Sequence, residues 1–209
     1  LVSLFEDEQY ANFLPLTYTR PVYMLRSGMF TTIERTERMF PKSRLFLFTR
    51  DYLVPTLAHR ISHPFNEPQK IDEESLLING ALVLGYQTLE LIERKLKPNV
   101  AVTQDGRLAM ALLEERLTKE LANLWVKPLA SSDVKKILRQ CKVMNANTLL
   151  FLNYPWDLID NCSKLISNDY KMLDEKGKAG TIDGRAAVYG ENSDIYLAEG
   201  AFIEPFVML

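Results

Sequence analysis

The chain has little of what several functional classes require. Among its 209 residues are only two cysteines, Cys141 and Cys162, and two histidines, His59 and His63. Neither a disulfide scaffold nor a soft-donor zinc site with four ligands is therefore expected. The cysteines read as small apolar residues buried on helices, and the histidines, in a Pro-flanked stretch, as solvated. Apolar stretches such as Leu45–Phe48 and Thr148–Leu152 fall far short of the roughly 18 residues that span a bilayer. Glu6, Asp7 and Glu8 interrupt the apolar start at Leu1–Phe5, which does not suit a secretory signal. Charge of one sign is also missing: 25 basic side chains stand against 27 acidic ones, a net charge of −2. Phosphate counterion release needs a basic excess, so no nucleic-acid partner is expected. These absences predict a cytoplasmic protein that engages no membrane.

What is present suffices for a core. Apolar residues make up 47% of the chain, and a chain of this size buries about 70% of its unfolded surface. Short continuous apolar runs read as buried strands at Leu1–Phe5, Leu45–Phe48, Ser75–Ile78, Val100–Thr103 and Thr148–Leu152. Between them the spacing turns helical. Met29–Met39 sets Ile33, Thr36 and Phe40 against a face of Glu34, Arg35, Glu37 and Arg38. Further helices are expected over Thr88–Lys97, over Leu108–Ala122 from the spacing of Leu108, Leu112, Leu113 and Leu117, over Ser132–Lys142, and over Trp156–Leu173. A hydroxyl of Ser131 or Ser132 is expected to cap the Ser132–Lys142 helix. Strands alternating with helices imply an α/β domain with a parallel sheet over residues 1–173.

Composition changes after Leu173. Asp174–Gly184, with Gly177, Gly180 and Gly184, reads as an exposed hairpin or connector, here bounded at 174–187. Then Leu197, Ile203 and Leu209 recur every six residues, with Ala201 and Val207 four places after the first two. An aliphatic residue at each sixth position stacks inside a three-sided β-coil, so residues 188–209 are expected to begin one.

Two segments carry a family resemblance. Leu14-Pro15-Leu16-Thr17-Tyr18-Thr19-Arg20-Pro21, running on to Arg26 and Gly28, resembles the substrate loop of sugar nucleotidyltransferases. Leu152-Asn153-Tyr154-Pro155-Trp156-Asp157-Leu158 is similar to the stretch after their last domain strand. With Leu77–Leu82 and the terminal hexapeptides, the likeness follows the whole chain in order. It is nearest to the variant branch of the bifunctional N-acetylglucosamine-1-phosphate uridylyltransferase/glucosamine-1-phosphate acetyltransferases. The resemblance implies a Rossmann-like nucleotidyltransferase domain joined to the first coil of a left-handed parallel β-helix. It implies attack by a sugar-1-phosphate on a nucleoside triphosphate with release of pyrophosphate, supported by Mg2+, and a homotrimer through the β-helix if the chain continues. Acyltransferase activity is not expected from these residues alone.

On that resemblance, Arg20 and Arg26 are the catalytic cations. Thr17, Arg20, Arg26, Asn79 and Gly80 bind substrate, and Asn79, Asn153 and Asp157 face the metal. Arginine suits phosphate because its planar fork grips two oxygens. Each residue also has a plainer reading: Thr17 a turn residue, the arginines solvated, Asn79-Gly80 a tight turn, Asp157 a helix-start charge, and Pro155 and Trp156 structural. The chain departs from the family too. Glu6–Phe13 lacks the phosphate-loop glycines, Val22 stands where lysine is usual, and Asn79 and Asn153 stand where the metal ligands fall, so that Asp7 and Asp157 become the compensating acids. An alternative follows from these departures: a catalytically degenerate domain that binds or scaffolds beside a hexapeptide acyltransferase.

Overall fold

The computed structural model describes residues 1–173, 177–191 and 194–209. They form two compact units, Leu1–Asp169 and Tyr170–Leu209. None of the described helices is long and apolar enough to cross a membrane.

The first unit is built on a six-stranded sheet. Its strands are β1 (Val2–Phe5), β2 (Leu45–Leu47), β3 (Ser75–Asn79), β4 (Val100–Gln104), β5 (Arg107–Leu113) and β6 (Lys142–Asn145), in the spatial order β2-β1-β3-β5-β4-β6. All neighbours pair in parallel except at β5, which is antiparallel to both β3 and β4. Strands covered on both faces have no polar alternate, which is why β1, β2 and β3 are buried at every position. Successive side chains still part to opposite faces. Leu4, Ile78 and Val102 enter one apolar cluster, and Phe5, Leu77 and Ala101 enter the other. The two buried hydroxyls of Ser3 and Ser75 satisfy each other at 2.9 Å.

The helices are α1 (Thr32–Met39), α2 (Val54–Leu57), α3 (Tyr86–Lys95), α4 (Glu115–Leu121), α5 (Ser131–Arg139), α6 (Asp157–Asp160) and α7 (Cys162–Lys171). A capping box starts α1: the Thr31 hydroxyl accepts from Glu34 N and the Glu34 carboxylate accepts from Thr31 N. The helix expected over Trp156–Leu173 is α6 and α7, interrupted at Asn161.

Several expectations are corrected. Leu108–Ala122 is not one helix but β5 followed by α4. A continuous apolar run satisfies helical spacing and a two-faced strand equally well. The deciding signal is Asp105-Gly106, whose φ angles of 52° and 77° make the positive-φ hairpin turn joining β4 to β5. Thr148–Leu152 joins no sheet. It meets residues 81–83 through a single bridge, Leu82 to Phe151, with Val83 N donating to Leu150 O and Leu152 N to Ala81 O, each at 2.9 Å. Neither Ser131 nor Ser132 caps α5, because Ala130 is its N-cap. Cys141 lies after α5 rather than on it, and both cysteines are half-buried. His59 is exposed, while His63 bonds Glu37 Oε1 at 2.7 Å.

The second unit contains β7 (Gly177–Lys178), β8 (Thr181–Ile182), β9 (Tyr196–Leu197) and β10 (Phe202–Ile203). Residues 174–176 of the expected connector and 192–193 of the expected coil lie outside the described residues. Of the expected hairpin or connector, the described residues form no hairpin: β7 pairs in parallel with β9, β8 in parallel with β10, and Ala187 bridges Met208. Gly180 permits the close stacking, since a Cβ there would sit 2.5 Å from Ala201 O. Leu197 is buried, whereas Ile203 is half-buried and Leu209 exposed.

Candidate active site

The carboxyl ends of β1 and β3 and the amino end of antiparallel β5 meet at one edge of the sheet, and polar side chains gather there. Open α/β sheets bind ligands at this edge because the loops leaving the strands diverge there. Asp7, just past β1, accepts from Gln9 N at 3.1 Å and from Asn79 Nδ2 at 2.8 Å. Arg107, the first residue of β5, grips the same carboxylate with two donors: Nε to Oδ2 at 2.6 Å and Nη2 to Oδ1 at 3.0 Å. Its Nη1 donates to Asn153 Oδ1 at 2.9 Å, and its guanidinium carbon lies 4.3 Å from the Phe151 ring centre. Asp157 Oδ2 accepts from the backbone N of Asn153 and Tyr154, which fixes the turn that carries Asn153. Next to these groups opens a cleft of about 480 Å³ whose lining includes Asp7, Gln9, Asp105, Arg107, Ser131 and Lys135.

A second buried ion pair holds the resembling loop. Glu6 accepts from Val22 N at 3.0 Å, Thr49 Oγ1 at 2.6 Å and Arg50 Nε at 3.2 Å. Arg50 also donates to Thr17 O at 2.6 Å and Arg20 O at 3.0 Å, with its guanidinium over the Tyr10 ring. Burial pushes the Glu6 carboxyl up, against the opposing pull of Arg50 and the bonds it accepts. Burial, reinforced by the charge of Glu6, pushes the Tyr23 hydroxyl well up.

The expected site residues divide. Thr17 is fully buried and donates to Tyr10 O, so its hydroxyl holds the loop. Arg20 is exposed, and its side chain makes no hydrogen bond or ion pair with the described residues. Arg26 is engaged with Met29 O and with Glu34 at 2.9 Å. Gly80 packs under Tyr23: a Cβ there would lie 2.7 Å from Tyr23 Cδ1 and 3.1 Å from Phe5 O. Trp156 is exposed and stacks on Tyr154 at 4.6 Å. Asn79 and Asn153 are linked through Asp7 and Arg107, and Asp157 meets Asn153 through its backbone N. Sequence reasoning missed Arg50 and Arg107. Their only local signal is position: Arg50 follows β2 and Arg107 opens β5.

This donor set does not fit magnesium. A hard dication needs several oxygens free to turn towards it. Asn79 Oδ1 accepts from Ala81 N at 3.0 Å, Asn153 Oδ1 from Arg107, and Asp157 Oδ2 from two backbone amides. No three His, Cys, Asp or Glu side chains among the described residues are grouped to hold an ion. An ion on Asn153 Oδ1 would also face the Arg107 guanidinium. Unit charges about 4 Å apart repel by about 4 kcal/mol at an effective dielectric near 20, and a dication doubles that.

An open, mainly parallel α/β sheet with its polar residues at the strands' carboxyl ends defines the Rossmann-like class of ligand-binding proteins. Within it, the chain belongs to the sugar nucleotidyl transferase family, a family of enzymes, whose model matches residues 2–178. No curated protein matches it. A crystal structure from Bacillus anthracis, assigned as a glucose-1-phosphate thymidylyltransferase and holding a sucrose, is similar in fold. Its TM-score is 0.50 at 11% identity, over 79% of this chain and 94% of that one. The inositol-1-phosphate CTP transferase of T. maritima gives a TM-score of 0.46 at 12% identity, over 80% of this chain and 94% of its own.

Proposed function

We propose that the chain transfers a nucleotidyl group from a nucleoside triphosphate to a sugar-1-phosphate. An oxygen of the sugar phosphate attacks the α-phosphorus, the bond between the α-phosphorus and its bridging oxygen breaks, and pyrophosphate leaves. Both reactants are anions, so the site must offset their repulsion. The observation that carries this reading is Arg20. Its guanidinium is uncommitted, on a loop that Arg50 ties to Glu6 at the end of β1. The cleft beside Asp7, with carboxylate, amide, hydroxyl and amine groups, suits the hydroxyl-rich sugar. Family membership supports the same reaction.

Residues 1–173 form the transferase domain in this reading. The parallel contacts after residue 177 support a left-handed β-helix that residues 188–209 extend, and with it the variant bifunctional branch and a homotrimer. The test is calorimetric titration with nucleoside triphosphates and sugar-1-phosphates. Loss of a charged hydrogen bond costs about 1.5–3 kcal/mol, roughly tenfold or more in affinity. Arg20→Ala should show that loss, and Arg38→Ala, which removes a charge lying over Phe30, should not. A second reading, a binding domain without turnover, is favoured by the glycine-free segment after β1. Pyrophosphate release in a coupled assay would rule that out.

A further inference from the structure

We propose that the Arg107 guanidinium is the resident cation of this centre and takes the place of a protein-bound divalent metal. The proposal rests on the transferase reading for its meaning but not for its test. Arg107 sits among the groups to which a metal would be assigned: two of its donors engage the Asp7 carboxylate, a third engages Asn153 Oδ1, and Asp7 in turn holds Asn79. The pair is enclosed, with the Arg107 side chain 9% exposed and that of Asp7 11%. Enclosure lowers the screening between the charges, and the fork geometry fixes both carboxylate oxygens.

A guanidinium carries five N–H donors. Three of them are spent on Asp7 and Asn153, and the residue is part of the cleft lining. The chain thus supplies, as a fixed side chain, the positive charge that an ion would otherwise bring. The neutral amides of Asn79 and Asn153 suit the same arrangement. Neutral amides accept from or donate to a guanidinium–carboxylate pair without the surplus negative charge that only a dication would balance.

Manganese(II), whose electron paramagnetic resonance signal falls on binding, is titrated alone into the full chain, with no nucleotide or sugar present. Wild type should bind no ion at this centre. Arg107→Ala should gain a stoichiometric ion, because Asp7 and Asn153 Oδ1 are released together, and adding Asp7→Asn should remove it again. Circular dichroism checks that the variant is folded. If Arg107→Ala does not fold, Arg107→Met removes the charge and every donor while keeping an unbranched side chain to pack on Phe151, and the same gain is expected. A wild-type ion that Asp7→Asn abolishes overturns the proposal, as does a folded variant lacking Arg107 that gains no ion. Failure of the transferase reading is separate, since it appears as absent nucleotide binding or absent pyrophosphate release.

Discussion

The buried guanidinium groups of Arg35, Arg50 and Arg107 share one construction. Each meets a carboxylate, Asp169, Glu6 or Asp7, and spends further N–H groups on carbonyl or amide oxygens. Desolvating two charges consumes most of their attraction, so such pairs add little net stability, but removing one partner leaves an uncompensated buried charge. Asp169 illustrates the cost. It accepts from Arg35 Nε at 3.0 Å, Arg35 Nη2 at 2.6 Å and Met29 N at 2.9 Å, with about 1% of its side chain exposed. Asp169→Asn should lower the unfolding free energy by about 3–5 kcal/mol in urea denaturation. Glu34→Gln, at a pair more than a third exposed, should cost under about 1 kcal/mol. These residues were the least legible in sequence. Arg35 reads as part of α1's polar face because its partner lies 134 positions on, and Arg107 meets Asp7 across 100. Asn79, Asn153 and Asp157 could be named from the motif, but not their partners: Asn79 ends β3 and bonds Asp7, while Asn153 sits in the turn that Asp157 fixes and accepts from Arg107.

Among the elements, legibility followed the number of strand faces that are covered. β1, β2, β3 and β4 stand out as short apolar runs because both faces are buried. The edge strand β6 does not, since Lys142, Val143 and Asn145 are exposed. β5 was hidden by its own length, its apolar run passing into the leucines of α4. The start of α1 shows how local chemistry sets an element and ties it to pH. Partial burial pushes the Glu34 carboxyl up, but hydrogen bonds from Thr31 and the charge of Arg26 outweigh that and hold its pKa below the usual value. A depressed folded-state pKa means a contribution present above the unfolded value near 4.5 and lost as pH falls through the folded value. Thermal melts between pH 6 and 3 should therefore lose stability more steeply in wild type than in Glu34→Gln, which has no proton to gain there.

At the scale of the whole molecule, the chain divides its burial unequally. Every buried member of the two apolar clusters lies between Val2 and Leu165. Beyond Asp169, Leu197 is the one apolar side chain buried among the described residues. Burial at roughly 25 cal/mol per Å² is the main favourable term in folding, so the stability of the first unit resides within its own residues. Among the described residues the second unit has two two-residue parallel pairs and one bridge. Short pairings with little apolar burial open locally at low cost, so the two units should respond differently to perturbation. A fragment ending at Leu173 should keep the full-chain circular dichroism of the sheet and unfold in urea at the same midpoint. In the full chain, hydrogen exchange should protect amides of β1 and β3 up to the global free energy, while those of β9 and β10 exchange through local opening. A fragment that unfolds at markedly lower urea, or equal protection of all four strands, would mean that the residues after Leu173 and the sheet form one cooperative body.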